Sequence, residues 1–271
     1  MKLLIVTPTR GDRLDLLDAV LKSIDGITVP YQHIIVAPVE KHPAIRSLMS
    51  DHPILLVCET GRGMYAAINQ GIDAAAGGWD WFTYINDDDY FSLHFDVFLN
   101  RIIASESCGC QADVYYGRVA MVGADSNLLY HMPVCPWPQS LLKYWAIGKS
   151  PLTQQGVCVA RRVVESLKGF NNNYIYAADM DFFCRALSMG FNFKYLPIVV
   201  AAFRLHGGQL SKHRIAFNVE ISAISSRLMR VGVLHAIFIK FIFYFWNIRV
   251  YFYRFFRLGL RRYDDIINNS Q

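Results

Sequence analysis

The feature that most constrains the fold is an alternation of short apolar runs with stretches of helical periodicity across residues 1–85. Four of the runs have the length and composition of buried parallel strands: 2–7, 33–36, 54–57 and 81–85. Residues 12–24 and 64–76 carry apolar side chains at helical spacing. The alternation predicts an α/β fold with an open, mostly parallel sheet flanked by helices. Such sheets bind ligands at the carboxyl ends of their strands.

The second half of the sequence predicts a less regular continuation of the same sheet. We expect a helix at 179–190 and three strands, the last of them broken by a proline: 114–122, 157–160 and 193–202. The proline-rich stretch 132–151 is interpreted as a loop. Because no interdomain linker is evident before about residue 212, residues 1–211 are predicted to form one domain.

Charge is distributed unevenly along the chain. The 271 residues carry a net charge of +5, but residues 212–262 hold ten basic residues and a single acidic one. Residues 1–211 are therefore slightly acidic, and 212–271 is predicted to be a separate basic segment. Hydrophobic residues make up 53% of the chain, which excludes an intrinsically disordered protein. No uncharged apolar run approaches the roughly 20 residues of a membrane-spanning helix.

The basic segment is also strongly aromatic, with 11 aromatic residues among the 19 in 238–256. Polar residues recur every seven positions and would form one stripe on a helix: Lys240, Asn247, Arg254 and Arg261. The pattern predicts an amphipathic helical extension that contacts a membrane surface through residues 233–262, with basic groups near anionic lipid. A helix packed on the rest of the chain or on a second copy is the alternative. Nucleic acid is not expected as a partner.

Three adjacent carboxylates follow the fourth apolar run. Asp87, Asp88 and Asp89 would repel one another without a cation, and a hard divalent ion removes that penalty. We interpret them as a Mg²⁺ or Mn²⁺ site that holds a diphosphate. A solvated acidic turn is the alternative interpretation.

Three further segments carry candidate groups whose structural and functional interpretations both stay open. Asp179 and Asp181 begin a helix, where one could be a general base or both could complement the helix dipole. Arg204 and His206 lie beside two glycines and could contact phosphate or metal. Residues 59–71 carry two glycines before a helix, which suits either a bound phosphate or an ordinary turn.

Taken in order, these segments resemble the family 2 glycosyltransferases of the GT-A (Rossmann-like) fold, in particular bacterial enzymes that build surface polysaccharides. The resemblance covers about residues 1–211. It rests on the strand exit TPTR, the segment GRGMYAAINQG, the acidic YINDDDY, the helix DMDFFCR and the late RLHGGQLS. YINDDDY is similar to the family's form of the DxD motif, and DMDFFCR is similar to its catalytic D-x-D-L-x-x-R segment.

The resemblance implies roles for individual residues. Asp179 would be the base that deprotonates an acceptor hydroxyl, and the metal ligands would be Asp87, Asp89 and His206. The nucleotide donor would be bound by residues from several segments: Thr7, Pro8, Arg10, Glu59, Arg62, Asn69, Asp87, Asp88 and Arg204. The reaction would be an inverting, metal-dependent transfer of a sugar from a nucleotide diphosphate to a lipid-linked or nascent glycan.

More than one interpretation stays open for the donor nucleotide and for the reaction class. Residues 36–41 depart from the family's base-binding pattern, so UDP is the default nucleotide and GDP or dTDP stay open. A sugar nucleotidyltransferase would need a glycine-rich basic loop where residues 7–11 stand. A catalytically silent, membrane-bound assembly partner is the third possibility. The lack of a secretory signal favours a cytoplasmic location, peripheral on the inner face of a bacterial membrane.

Overall fold

The structure is a computed structural model that describes residues 1–49, 53–205, 214–228 and 230–259. Within these ranges nine strands form one sheet: β1 (Leu3–Pro8), β2 (Tyr31–Ala37), β3 (Ile54–Cys58), β4 (Trp81–Tyr84), β5 (Tyr90–Phe91), β6 (Val114–Val122), β7 (Leu128–His131), β8 (Val157–Ala160) and β9 (Phe193–Arg204). The helices in these ranges are α1 (Leu14–Ile24), α2 (His42–Leu48), α3 (Met64–Ala74), α4 (Phe95–Ser107), α5 (Leu141–Ala146), α6 (Arg161–Leu167), α7 (Ala178–Ser188), α8 (Arg214–Ser225), α9 (Val233–Trp246) and α10 (Ile248–Leu258).

The sheet has a parallel half and a mixed half. Its strand order is β3-β2-β1-β4-β8-β6-β9-β5, and β7 pairs with β6. The first four strands of that order are mutually parallel, as the sequence predicts. Beyond them β8 runs antiparallel to both β4 and β6, while β9 is parallel to β6. The α/β class is therefore confirmed, and parallel pairing is uninterrupted only in the first half of the sheet.

The centre of the parallel half lies in the core. Every residue of β1 and of β4 is buried. Helix α3 packs closely against β1 and β2 at Gly71. A Cβ atom at this position would come within 2.6 Å of Val6 and 3.2 Å of Val36. Glycine at this position thus sets the distance between helix and sheet, which fixes where the helix begins relative to the strand ends.

Two segments differ from the sequence-based expectation. The proline-rich stretch predicted as a loop contains α5, whose side chains Leu141, Tyr144 and Trp145 are buried. Strand β9 continues past Pro197 to Arg204 rather than breaking there. The register between β6 and β9 shifts close to this proline, and a bulge tolerates a residue that cannot donate a ladder hydrogen bond.

Within its described residues, the extension predicted at 233–262 forms two helices rather than one. α9 and α10 meet at Asn247 with a bend of 64°. Asn247 is 3% exposed and is hydrogen bonded to the backbone of Val134, so it does not belong to an exposed polar stripe. Arg261 of the expected stripe lies outside the described residues. Within the described ranges no single helix is long and apolar enough to cross a membrane, and α9 with α10 reach that length only as a bent pair.

Candidate active site

The acidic cluster lies at the carboxyl edge of the parallel half, where β4 ends. Thr9, which follows β1, donates a hydrogen bond from its hydroxyl to Asp87 Oδ2 at 2.6 Å. Arg13, at the start of α1, donates to Asp87 Oδ1 at 3.0 Å and lies 3.4 Å from Asp88 Oδ2. The Asp87 carboxylate thus links the residues that follow β1 to those that follow β4. Arg13 partly neutralises the negative charges of Asp87 and Asp88.

Asp89 is the most deeply buried carboxylate of the cluster, with 1% of its surface exposed. Its Oδ2 accepts hydrogen bonds from Gln155 Nε2 at 2.7 Å and from Asn86 Nδ2 at 3.3 Å. Its Oδ1 accepts the backbone N–H of Arg204 at 3.0 Å. Burial raises the pKa of Asp89 well above its usual range, and the nearby charge of Asp88 raises it further. Asp89 therefore ties three distant stretches of chain together beneath the cluster.

Arg204 is also engaged within the fold. Its guanidinium donates to the carbonyl oxygens of Asp88 and Ala124 and to the hydroxyl of Ser126. The guanidinium carbon lies 5.3 Å from the ring centroid of Tyr90. With 6% of its surface exposed, Arg204 holds the 124–126 turn against the acidic cluster. His206, the predicted metal ligand two residues later, lies outside the described residues.

The cluster has the donor chemistry of a hard-cation site. Carboxylate and amide oxygens suit Mg²⁺ or Mn²⁺, and Asn86 Oδ1 is buried beside the carboxylates with no hydrogen-bond partner. Asp87 and Asp88 are the members that reach the surface, with side chains 10% and 12% exposed. Among the described residues no three His, Cys, Asp or Glu side chains converge on one point. The guanidinium of Arg13 supplies positive charge next to Asp87 and Asp88.

The predicted base, Asp179, lies in the first turn of α7. Its Oδ1 accepts the hydroxyl of Tyr65 at 3.0 Å and the backbone N–H of Met180 at 2.8 Å. Within the described part of the chain, Oδ2 is left as the oxygen that can accept a further proton. Burial raises the pKa of Asp179, which is the direction that strengthens a carboxylate as a base.

Tyr84, the last residue of β4, lies close to both groups of carboxylates. Burial raises its pKa well above the usual value, and the adjacent Tyr65 and the charges of Asp179 and Asp89 add to the effect. Tyr65 has a raised pKa for the same reasons, burial first and Asp179 second. The base candidate and the acidic cluster therefore both lie near the buried Tyr84.

The start of α7 is held in place by α8. Glu220 of α8 accepts the backbone N–H groups of Ile175, Tyr176 and Ala177 at 2.8–2.9 Å. Asp181, which is 1% exposed, pairs with Arg185 and Arg227 at 2.7 and 2.8 Å. Of the two aspartates that begin this helix, Asp181 is thus occupied in structural ion pairs, and Asp179 is the one turned to Tyr65.

Asn69 on α3 fastens the loop that precedes α7. Its side-chain amide donates to the carbonyl of Phe170 and to Asn172, and its oxygen accepts the N–H of Phe170. All three contacts are between 2.8 and 2.9 Å. The side chain predicted to contact the donor is therefore committed to positioning this loop.

We expect Gly169→Ala to destabilise the protein by about 1–3 kcal/mol, because Gly169 has φ of +73° and an added Cβ would overlap the Asn69 amide. Thermal denaturation followed by circular dichroism measures the change. Gly77→Ala is the matched control, since Gly77 is exposed and nothing lies within 4 Å of its Cβ position. Equal melting temperatures for the two variants would contradict the role given to the Asn69 contact.

The remaining residues predicted to bind the nucleotide donor differ in how deeply they are buried. Thr7 and Pro8 are buried in β1, and the Thr7 hydroxyl is hydrogen bonded to His33 at 2.9 Å, beneath the site. Arg10 and Arg62 are exposed, with the Arg10 side chain 90% accessible. Glu59 is half-buried; burial raises its pKa and the charge of Arg10 opposes the rise. The two arginines are thus available at the rim, whereas Thr7 is not accessible.

The structure adds residues that the sequence-based set lacks. Thr9 and Arg13 bind the acidic cluster, Gln155 binds Asp89, and Tyr65 binds Asp179. Thr9 and Arg13 directly follow β1, whose carboxyl end lies beside that of β4. Polar residues just after neighbouring parallel strands are therefore the signal that would have identified them.

Comparisons with known proteins agree with this geometry. No protein-family model matches the chain. Curated relatives named "PGL/p-HBAD biosynthesis glycosyltransferase", from Mycobacterium tuberculosis and Mycobacterium bovis, are 26% identical to it over 151 residues. The match covers 55% of this chain and 54% of each relative, so the chain spans about half the length of the curated relatives it matches.

Solved structures cover more of the chain. Residues 1–349 of Staphylococcus aureus TarS, in complex with UDP-GlcNAc, have a TM-score of 0.59 at 13% identity, covering 100% of this chain and 79% of that one. The mannosyltransferase PcManGT from Pyrobaculum calidifontis, in complex with GDP-Man and Mn²⁺, has a TM-score of 0.60 at 17% identity, covering 86% and 68%. The chain has the fold of GT-A glycosyltransferases, which confirms the fold predicted from its motifs.

Proposed function

We propose that this protein is a glycosyltransferase that moves a sugar from a nucleoside diphosphate to a hydroxyl group of an acceptor. One observation carries the proposal: the half-buried carboxylate of Asp179 accepts the hydroxyl of Tyr65, which lies beside Tyr84 at the end of β4, just before the acidic cluster at Asp87–Asp89. Such an arrangement supplies a base on one side and a phosphate-binding region on the other. The similarity to glycosyltransferases in sequence and fold supports it.

The acceptor step follows from the surroundings of Asp179. A sugar hydroxyl is a weak nucleophile, so a carboxylate that removes its proton as the new bond forms accelerates the transfer. Tyr65 and the N–H of Met180 both hold Oδ1, which orients Oδ2 toward the acceptor. The acceptor oxygen forms the new bond to the anomeric carbon while the bond to the diphosphate breaks. A single in-line displacement of this kind inverts the anomeric configuration.

The donor side belongs to the acidic cluster and its cationic neighbours. Asp87, together with Asp88 in place of the predicted but buried Asp89, would hold a Mg²⁺ or Mn²⁺ ion, which would stabilise the charge on a leaving diphosphate. The exposed Arg10 and Arg62 would attract the phosphates electrostatically. The bound Mn²⁺ of the mannosyltransferase structure supports a divalent ion here.

The donor is proposed to be a UDP-sugar, with a GDP-sugar as the alternative, because neighbours of the same fold carry UDP, UDP-GlcNAc and GDP-Man. The acceptor is proposed to be a lipid-linked or growing glycan.

A ligand panel tests the function. We expect one nucleotide sugar among UDP-, GDP- and dTDP-sugars to raise the melting temperature in the presence of Mn²⁺, since a ligand that binds only the native state stabilises it. The same donor should be hydrolysed slowly to a nucleoside diphosphate. Release of pyrophosphate would indicate a nucleotidyltransferase. Absence of both binding and hydrolysis across the panel would indicate a catalytically silent protein.

A further inference from the structure

The two C-terminal helices form an angular surface, called here the elbow and defined as α9 and α10 with Asn247 between them. Nine large apolar side chains on the elbow are more than half exposed, among them Leu234, Phe238, Phe241, Phe245, Phe252 and Phe256. Along α9 the spacing of 234, 238, 241 and 245 puts them on one helical face. Exposed apolar patches of this kind mark a surface that binds something.

The elbow is firmly attached to the α/β body on its other side. Asn247 Oδ1 accepts the N–H of Val134 at 3.0 Å, and its Nδ2 donates to the carbonyl of Val134 at 3.1 Å. Phe243 is buried against Tyr144, and Trp246 packs on Trp137 with ring centroids 5.2 Å apart. The exposed rings therefore lie opposite an interface that is already filled.

The positive charge of the elbow favours an anionic partner. Residues 230–259 contain no Asp or Glu, and five basic residues: Arg230, Lys240, Arg249, Arg254 and Arg257. Lys240, Arg249 and Arg257 are exposed. In a two-fold dimer the same patch faces itself, so these basic groups would meet one another without acidic partners. An anionic surface matches both the charge and the apolar rings.

The dimensions favour a helix pair in the plane of a bilayer. α9 has 14 residues, which makes it about 21 Å long, and a hydrocarbon core is about 30 Å thick. The 64° bend and the exposed Lys240 and Arg249 oppose insertion as a straight span. Aromatic side chains with neighbouring basic groups are typical of helices that lie at the headgroup boundary.

From these observations we propose that the elbow docks the protein onto an anionic phospholipid bilayer, with the phenylalanines in the acyl boundary and the basic groups at the lipid phosphates. The surface would be close to the candidate active site. Val250 and Leu258 of α10 pack against the cluster that contains Leu205, the residue after Arg204. If the proposed function is correct, a lipid-linked acceptor would reach the site from the same membrane.

Vesicle sedimentation with the full chain tests this docking. We expect more binding to phosphatidylcholine vesicles that contain phosphatidylglycerol than to phosphatidylcholine alone, and weaker binding at high salt. The double variant Phe241→Ser/Phe245→Ser should lower the partition coefficient by about tenfold for each phenylalanine. Both side chains are about two-thirds exposed, so the variant should fold; circular dichroism checks this.

Leu93→Ser is the matched control, because Leu93 is 97% exposed in the loop between β5 and α4 and should not alter vesicle binding. The proposal is overturned if the wild type shows no preference for the anionic vesicles, or if the double variant binds them like Leu93→Ser. It is also overturned if analytical ultracentrifugation shows a dimer that the double variant dissolves while vesicles bind neither protein. None of these measurements depends on sugar transfer, so they can fail independently of the proposed function.

Discussion

Replacing Asp179 with Asn should reduce the rate of sugar transfer by about 100- to 10,000-fold, the usual contribution of a general base. The reason lies in the two oxygens of the carboxylate. Oδ1 is held by Tyr65 and by the N–H of Met180, and an Asn side chain keeps one oxygen that can accept both hydrogen bonds. The variant loses the second oxygen and the negative charge, so it folds normally but cannot remove the acceptor proton.

The informative measurement for this variant compares chemistry with donor binding. Transfer is followed by release of nucleoside diphosphate, and donor binding by the shift in melting temperature. We expect the shift to match the wild type, because the acidic cluster is intact. Asp73→Asn is the control, since Asp73 is an exposed aspartate on α3 and should retain full activity. Near-normal transfer by Asp179→Asn would remove this residue as the base.

Replacing Arg13 with Gln should strengthen the binding of Mn²⁺ to the protein without donor, by about tenfold. The Arg13 guanidinium lies 3.0 Å from Asp87 and 3.4 Å from Asp88, so it competes with a metal ion for the same carboxylates. Removing the guanidinium removes a positive charge that repels the incoming ion. The expected gain is limited to about tenfold because the Arg13 side chain is 35% exposed and partly screened by water.

Isothermal titration with Mn²⁺ alone measures this competition, independently of catalysis. Arg10→Gln is the matched control: it removes one arginine of the same loop that is 90% exposed and pairs with Asp12 rather than with the cluster. We expect its Mn²⁺ affinity to stay close to that of the wild type. An unchanged or weaker affinity in Arg13→Gln would show that Arg13 and the metal do not share these ligands.

The parallel half of the fold could be predicted because its residues carry the information locally. Strands β1 and β4 are buried along their whole length, so each reads as a short continuous apolar run. Asp87–Asp89 were identifiable for the same reason, since three adjacent charges at a strand end need an explanation. Asp179 required the resemblance to a family, because an aspartate in a first helical turn has an ordinary structural interpretation.

The features that could not be predicted from the sequence depend on contacts between residues that are far apart in it. Thr9 and Asp87 are 78 positions apart, and although its position after a strand marks Thr9 as a candidate, the local sequence does not identify the carboxylate that its hydroxyl binds. Asn247 occupies a helical pattern that continues on both sides of it. The break there follows from hydrogen bonds to Val134, 113 positions away, which the local periodicity does not contain. In both cases tertiary packing decides the outcome.

The hydrogen bonds at Asp89 have a consequence for the order of folding. Its partners Gln155 and Arg204 are 66 and 115 positions away, so the carboxylate is satisfied only after β9 has joined the sheet. Closing such long loops is entropically expensive and comes late when a chain folds. A nascent chain that ends before Arg204 would leave a buried carboxylate short of a donor. The acidic edge of the sheet is therefore completed late, although the strands that carry it are synthesised first.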